Sequence, residues 1–242
     1  MRIGFYINPV ARLREHHPSG LPDPSLAAAL AESAGVQLIL AGWTPSGGML
    51  NERDILLIRE LVRGDLFIVT AAREDSVNPI LKFHPDGVVL VDPNWDAIRQ
   101  GKPVTLESDA DQVSQICMTF KAADIPVAVM IDANGQSVKT AARVGASGVV
   151  IDCSAYASAR TEKEAEEAVD RIGATAMAAS KFGMVASVAK GLTSSNVSPV
   201  SRISYVEEVY FGQTVVARAM LVGLDSAIRE VIMTSKHSRV GS

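Results

Sequence analysis

PVAVMIDANGQSVKTAARVGASGVVID, residues 126–152, contains two short apolar runs separated by a stretch with the period of a helix. The apolar runs, Pro126 to Ile131 and Gly148 to Ile151, show little alternation between apolar and polar residues. Continuous Val and Ile character of this kind is typical of strands buried on both faces of a parallel sheet. The stretch between them, Ser137 to Val144, is amphipathic, so the segment predicts a strand, a crossover helix and a second parallel strand.

The same unit recurs along the whole chain. The other strand candidates are Arg2 to Ile7, Val36 to Leu40, Asp65 to Thr70, Gly87 to Val91, Met184 to Val188 and Val206 to Phe211. The other helix candidates are Ser25 to Ser33, Glu52 to Val62, Ala110 to Ala122, Thr161 to Lys181 and Thr214 to Met233.

The number of units and the length of 242 residues favour a closed (β/α)8 barrel, the TIM barrel, over an open doubly wound sheet. No Gly-x-Gly-x-x-Gly follows any of the strand candidates, which also argues against a dinucleotide-binding sheet. We expect one domain over residues 1–242. The irregular stretch from Asp92 to Ser108 is expected to form a long loop over one rim.

Composition restricts the class of partner. A formal charge of -4 argues against a nucleic-acid or anionic-membrane partner, and no apolar run approaches the roughly 20 residues of a membrane span. Two cysteines without a metal-binding pattern indicate a reducing compartment, and no signal peptide is seen, so we expect a cytoplasmic protein. The expected partners are small molecules and copies of the same chain.

In barrels of this class the reactive side chains follow the C-terminal ends of the strands. The residues at those positions are Tyr6, Asn8, Arg14, Trp43, Thr44, Thr70, Asp92, Asp132, Asp152, Cys153, Lys190, Gly191, Gly212 and Gln213. This set could bind an anion, or Lys190 could polarise a carbonyl with Asp132 or Asp152 acting as a base.

Lys190 has three possible roles. Its ammonium could hold a phosphate or carboxylate, or it could form a Schiff base, or it could be a rim lysine paired with a carboxylate. Gly191 and Gly212 follow strands seven and eight, where barrels commonly bind phosphate through backbone amides, but a turn could also require glycine there.

Other candidates have simpler interpretations. Asp132 and Asp152 could cap their own loops, and Cys153 could be a buried, unreactive thiol. His17 could contact an anion from an open loop. The glutamates at the start of the helix from Thr161 complement the helix dipole, so we expect no metal site there.

Along nearly its whole length the chain resembles the pyridoxine 5'-phosphate synthase family. The matching residues are Met1-Arg2-Ile3-Gly4, Pro22-Asp23-Pro24, Glu52-Arg53-Asp54, Ala71-Ala72, Pro85-Asp86, Val91, Ile131-Asp132, Ala155-Tyr156-Ala157, Gly191-Leu192, Asn196-Val197, Gly212 and Ala217-Arg218-Ala219. The resemblance implies a (β/α)8 barrel that assembles as a homo-octamer. It also implies condensation of 1-deoxyxylulose 5-phosphate with 3-amino-2-oxopropyl phosphate, without a metal or organic cofactor.

At the family's catalytic positions this chain has other residue types. The strand-one Asn and the Asp-His pair fall on Tyr6, Asn8 and Pro9, and a phosphate-binding Arg falls on His17. The family's His-Leu-Arg-Glu-Asp-Arg-Arg-His after strand two is replaced by Gly-Trp-Thr-Pro-Ser-Gly-Gly-Met at residues 42–49.

The ends of the later strands also differ from the family's catalytic motifs. The glutamates of strands three and six fall on Val69 and Val150, and the family's Thr-Thr-Glu-Gly-Gly loop has no counterpart at residues 99–103. The His of the strand-seven His-Gly pair falls on Lys190, and the Gly-His pair after strand eight becomes Gly212-Gln213. Because removal of one catalytic acid or base typically costs about a hundredfold in rate, we expect the parent condensation to be lost.

What could persist is a site for a small phosphorylated or anionic metabolite at the C-terminal mouth of the barrel. Its residues would be Gly191, Gly212, Gln213 and Lys190, with contacts from His17 and Asn8. Three alternatives stay open: a non-catalytic oligomeric scaffold or regulatory protein, a different enzyme built on Lys190, and a synthase that still performs the parent reaction.

Overall fold

The computed structural model describes residues 1–15, 19–94 and 101–240. Its strands are β1 (Arg2–Tyr6), β2 (Leu38–Gly42), β3 (Asp65–Ala71), β4 (Gly87–Val91), β5 (Val127–Ile131), β6 (Gly148–Asp152), β7 (Val185–Ala189) and β8 (Glu208–Phe211). Its α-helices are α1 (Asn8–Glu15), α2 (Pro24–Ser33), α3 (Glu52–Leu61), α4 (Val77–Leu81), α5 (Leu106–Ala122), α6 (Gly135–Arg143), α7 (Ser154–Ala157), α8 (Glu162–Lys181), α9 (Val197–Ser201), α10 (Gln213–Val222) and α11 (Leu224–Val240), and a 3₁₀ helix covers Glu74–Ser76.

The strands form one closed parallel barrel. Each strand pairs with the next in chain order, and β8 pairs with β1, so the sheet has no free edge. The (β/α)8 barrel expected from the alternation of apolar runs and helical stretches is confirmed. The C-terminal ends of all eight strands therefore meet at one rim, which we call the barrel mouth.

Two apolar layers explain why the strands read as continuous apolar runs. One layer lies inside the barrel and consists of Leu38, Leu40, Phe67, Val69, Ala71, Val89, Val91, Met130, Val150, Ala189 and Tyr210. The intervening strand residues point outward and pack with the helices in a larger cluster. Because both faces of the sheet are covered, neither face requires polar residues.

A polar cluster fills the N-terminal end of the barrel. The buried Glu208 carboxylate accepts hydrogen bonds from the Arg2 guanidinium, from the Ser187 hydroxyl at 2.7 Å and from the Tyr210 hydroxyl. Arg2 also pairs with Asp65 on β3. The end opposite the mouth is thus closed by an ion pair with hydrogen-bonded neighbours.

Several elements differ from the sequence-based expectation, among them the short helices α4, α7 and α9, which were not among the helix candidates. Residues 8–15 form a helix that was not among the helix candidates; Pro9 lies in its first turn, where the missing N–H of proline has no intrahelical partner to lose. The helix expected over Thr214 to Met233 is two helices, because Gly223 between them has φ of 84°. The helix expected from Ala110 begins at Leu106, inside the stretch expected to be a loop.

Candidate functional site

The inner wall of the mouth is made mostly of small and apolar residues. Strand pairing places Gly42 beside Val69, Ala71 beside Val91, and Asp152 beside Ala189, all on the inward face. The small side chains leave space between the strand ends. Asp152 is therefore a carboxylate at an inward position of an otherwise apolar wall.

Lys190 and Asp152 form an ion pair at this wall. The Lys190 Nζ donates to Asp152 Oδ2 at 2.7 Å, and their side chains are 17% and 9% exposed. The other carboxylate oxygen, Oδ1, accepts from the backbone N–H of Ser154 at 2.7 Å, which fixes the carboxylate at the start of α7. This ion pair is the contact expected of a rim lysine paired with a carboxylate, one of its three possible roles. The other two roles, holding an anion and forming a Schiff base, stay predictions. A Schiff-base lysine would instead have to present a neutral amine.

The turn after β7 explains how Lys190 reaches Asp152. Ala189 points inward, so regular alternation would direct the next side chain outward. Lys190 and Gly191 instead have φ of 77° and 72°, and this left-handed backbone redirects the chain. The Asn196 side chain holds the turn by donating to the Gly191 carbonyl at 3.0 Å and accepting from the Thr193 N–H at 2.7 Å.

Gly191 meets two steric requirements in addition to any ligand role. Its φ lies in the region that favours glycine, and a Cβ placed there would lie 2.3 Å from the Cβ of Ala157 on α7. The alternative that a turn requires glycine is therefore supported at this position. Its role as a phosphate-binding amide stays a prediction.

Gly212 and Gln213 lie where β8 passes into α10. A Cβ on Gly212 would lie 3.2 Å from the Cβ of Tyr6, so the glycine gives the Tyr6 side chain room. The N-cap residue of α10 is Gly212, which makes no side-chain cap hydrogen bond, and the helix begins at Gln213. The Thr214 hydroxyl donates to the Leu192 carbonyl at 2.5 Å and joins the loops that follow β7 and β8.

The remaining predicted site residues lie apart from this pair or in other roles. Asn8 is buried, and its side-chain amide donates to the Gly42 carbonyl at 2.8 Å and accepts from the Gly42 N–H at 2.6 Å. Its carboxamide therefore joins the start of α1 to the end of β2, and contact with a ligand stays a prediction. Asp132 is exposed and follows Ile131, which pairs with Ile151, so it lies beside Asp152 on the rim. His17 lies outside the described residues.

Several strand-end residues point away from the mouth. Trp43 and Met49 are buried between the sheet and the helices, where Trp43 packs edge-on against Phe83 at 5.1 Å between ring centroids. Cys153 is fully buried, and burial raises its thiol pKa to about 12, as expected for an unreactive cysteine. Arg14 binds Asp54 on α3 and does not belong to the mouth.

Two cavities lie near the loops that carry these residues. One of about 270 Å³ opens at the mouth beside β2 to β4 and is lined in part by Thr44, Ala71 and Arg73. The second, of about 450 Å³, lies outside the barrel behind the β7 loop, between α10 and α11. The sequence analysis did not single out Arg73, although a basic residue two positions after the end of β3 was a readable signal.

The described residues present no helix with the length and apolar character needed to cross a bilayer. Within the same residues, no group of three or more His, Cys, Asp and Glu side chains converges as metal ligands would.

Comparison with solved structures supports the fold. The phosphoribosylanthranilate isomerase from Thermotoga maritima, in a monomeric form, superposes with a TM-score of 0.62 at 13% identity, covering 98% of this chain and 99% of that chain. Mandelate oxidase with (S)-mandelic acid also superposes with a TM-score of 0.62, at 18% identity, over 98% of this chain and 72% of that one. At such low identity these matches show the barrel fold alone.

Sequence comparison identifies the family. The family model described as "Pyridoxal phosphate biosynthesis protein PdxJ" matches residues 3–237. A pyridoxine 5'-phosphate synthase from a Synechococcus strain is 31% identical over 96% of this chain and 97% of its own length. The synthase of Syntrophotalea carbinolica is 30% identical over 95% and 96%. The chain therefore belongs to the PdxJ family of pyridoxal phosphate biosynthesis proteins.

Proposed function

We propose that this member of the vitamin B6 biosynthesis family has lost the parent condensation and binds a small phosphorylated or anionic metabolite at the barrel mouth. The residues that the family resemblance assigns to acid–base chemistry are replaced by Pro9, Val69 and Val150. Val69 and Val150 are buried in the inner apolar layer, where they can contribute packing but no proton transfer.

The observation that carries the binding proposal is the arrangement around Lys190. Its ammonium has three N–H donors, and one of them binds Asp152. In the part of the chain that the structure describes, no further hydrogen bond to Lys190 is formed. Two donors thus have no partner among the described residues, beside the Gly191 turn. The loop after the neighbouring strand β8 leads into α10, where the helix dipole favours an anion.

The carboxylates define where on the rim an anion would lie. Asp132 is exposed beside Asp152 and would repel an anion from the β5 side of the mouth. The negative charge of Asp152 is compensated by Lys190. On the adjoining loops after β7 and β8, the positions expected to bind the anion are Gly191 and Gly212, which carry no charge. The β7–β8 side is therefore the favoured location.

Isothermal titration calorimetry with inorganic phosphate tests this proposal. We expect Lys190→Met to weaken phosphate binding at least about tenfold, because a hydrogen bond to a charged group contributes about 1.5–3 kcal/mol. Asp152→Asn should strengthen binding, because it removes the competing carboxylate. Lys163→Met is the matched control, because Lys163 is an exposed lysine on α8. Unchanged affinity in Lys190→Met would contradict the proposal.

A working synthase is the second candidate. It is favoured by relatives that bear the name pyridoxine 5'-phosphate synthase and match about 95% of this chain. An assay with 1-deoxyxylulose 5-phosphate and 3-amino-2-oxopropyl phosphate separates the two candidates. Turnover at an ordinary enzymatic rate, of the order of 1 s⁻¹ or more, would overturn the proposed loss of activity.

The proposal includes a homo-oligomer. The end of α10 exposes Met220 and Leu221, which are 72% and 80% accessible, and α2 exposes Leu26 at 60%. Exposed apolar side chains of this size are common at protein interfaces. Light scattering coupled to size-exclusion chromatography should give a mass above 25.6 kDa, the mass of one chain. A monomeric mass at micromolar concentration would contradict this part of the proposal.

A further inference from the structure

The cavity of about 450 Å³ outside the barrel has a polar lining from three elements. Arg218 of α10, Glu230 of α11 and Ser194 of the loop after β7 all face it. Neither Lys190 nor Asp152 is among its lining residues. The cavity is therefore a separate location from the site proposed at the barrel mouth.

Two opposite charges lie side by side in this cavity. The Arg218 Nε donates to Glu230 Oε2 at 3.0 Å, and the other carboxylate oxygen, Oε1, accepts from the Ser194 hydroxyl at 2.8 Å. The hydrogen bonds from Ser194 and Arg218 lower the pKa of Glu230 below its ordinary value, so this carboxylate is charged at neutral pH. One positive and one negative group thus stand next to each other, with their order set by two helices.

Both charged groups can still bind a small molecule. A guanidinium has five N–H donors in a planar fork, and a carboxylate oxygen can accept more than one hydrogen bond. The Arg218 and Glu230 side chains are 48% and 37% exposed. A molecule in the cavity can therefore reach the Nη groups of Arg218 and the carboxylate of Glu230 without separating the pair.

The paired charges select the charge pattern of a ligand. A simple anion on Arg218 would be repelled by Glu230 beside it, and a simple cation on Glu230 would be repelled by Arg218. A zwitterion with neighbouring carboxylate and ammonium groups avoids both repulsions. Its carboxylate matches the guanidinium fork, and its ammonium group matches the Glu230 carboxylate.

Two buried valines, Val215 and Val231, form an apolar part of the lining. A volume of about 450 Å³ lies within the range of small-molecule pockets and leaves room for more than the two charged groups. We infer that this cavity binds a free α-amino acid with an apolar side chain, its carboxylate on Arg218 and its ammonium group on Glu230. The inference does not rest on the proposed function, because the residues of the barrel mouth take no part in it.

Three molecules with related carbon skeletons test the charge pattern by isothermal titration calorimetry. L-Leucine carries both charges, 4-methylpentanoate lacks the ammonium group, and 3-methylbutylamine lacks the carboxylate. We expect L-leucine to bind at least about tenfold more tightly than either of the others, because each of them lacks one charged hydrogen-bonding group. Absence of L-leucine binding, or binding no tighter than that of 4-methylpentanoate, would overturn the inference.

Substitutions test the location. Arg218→Met and Glu230→Gln should each weaken L-leucine binding at least about tenfold. Both variants should fold, because an ion pair this exposed contributes little to stability, and their melting temperatures check this. Arg229→Met is the matched control, because the Arg229 Nε donates to Asp225 at 2.9 Å in an ion pair of the same kind on α11, outside the cavity lining.

The control variant should bind L-leucine with unchanged affinity. Full affinity in Arg218→Met, or an equal loss in Arg229→Met, would overturn the assignment to this cavity. Either result leaves the proposed function untouched, because that proposal is tested separately with inorganic phosphate and Lys190→Met.

Discussion

The turn at Lys190 and Gly191 shows how backbone conformation places one side chain. A lysine with φ of 77° is uncommon, because left-handed backbone brings its Cβ close to the carbonyl oxygen. Strain of about 1–3 kcal/mol persists only where surrounding contacts hold it. Here those contacts are the Asp152 ion pair and the Asn196 hydrogen bond to Gly191.

At the residue scale, Gly191→Ala is expected to destabilise the protein by more than about 2 kcal/mol, because it combines a left-handed φ with a clash against Ala157. Adding Ala157→Gly should restore part of the lost stability, because it removes the clash. The strain of an alanine with a left-handed φ at position 191 remains. Ala157→Gly alone controls for the effect of glycine in α7. Urea unfolding measures all three variants, and a double variant no more stable than Gly191→Ala would refute the steric explanation.

At the element scale, a capping box connects α1 to α3. The Asn51 side chain accepts from the Asp54 N–H at 3.0 Å, and the Asp54 carboxylate accepts from the Asn51 N–H at 2.9 Å. The same carboxylate receives two hydrogen bonds of 2.7 Å from Arg14 on α1. Helix α1, which the sequence did not predict, is thus held by Asp54, which lies in the first turn of the predicted helix α3.

Two substitutions separate the cap from the connection between helices. Asn51→Ala should cost about 1 kcal/mol of unfolding free energy, the usual value of an N-cap. Asp54→Ala should cost about 2–3 kcal/mol, because it also leaves the partly buried Arg14 without its carboxylate partner. Equal losses in the two variants, measured by urea unfolding, would show that the α1–α3 ion pair contributes nothing.

At the scale of the whole molecule, Glu208 joins three strands at the closed end of the barrel, through Arg2 on β1, Ser187 on β7 and its own strand β8. Glu208→Gln should cost about 2–4 kcal/mol, because an amide group would face one of these donors and the charge of Arg2 would lose its partner. Asp65→Asn is the control, since Asp65 is 39% exposed and should change stability by less than about 1 kcal/mol. Thermal unfolding of both variants compares the two losses of stability.

Buried thiols and phenols predict a loss of stability at alkaline pH. Burial raises the pKa of Cys117 to about 11 and of Cys153 to about 12, both from 9.0, and raises the pKa of Tyr6 and Tyr210 above 10.0. From pH 9 upward the unfolded chain releases protons that the folded chain retains, so the free energy of unfolding falls as pH rises.

Urea unfolding at pH 7.5 and pH 10 measures this effect. We expect the free energy of unfolding to fall by about 2–3 kcal/mol between these two conditions, mainly through the two thiols. The double variant Cys117→Ala, Cys153→Ala should show a smaller fall between the same two pH values. An equal fall in the double variant would mean that other groups cause the alkaline destabilisation.

The barrel fold could be predicted because it depends on patterns among residues that are close in sequence. Apolar runs such as Gly148 to Ile151 and helical stretches such as Thr161 to Lys181 each follow from residue spacing within a few turns of chain. Where local reasoning failed, a single residue decided the outcome: Gly223 divides the last helical stretch in two through its φ of 84°. Helix α1 was missed because Pro9 is also compatible with a loop.

The sequence by itself determined the class of fold, the rim on which site residues lie and the family resemblance, because periodicity and motifs are properties of neighbouring residues. Only the tertiary structure decided which residues meet. Lys190 and Asp152 are separated by 38 positions, and Asn8 and Gly42 by 34. Closure of the barrel sets these contacts, because strand register decides which side chains face the same space.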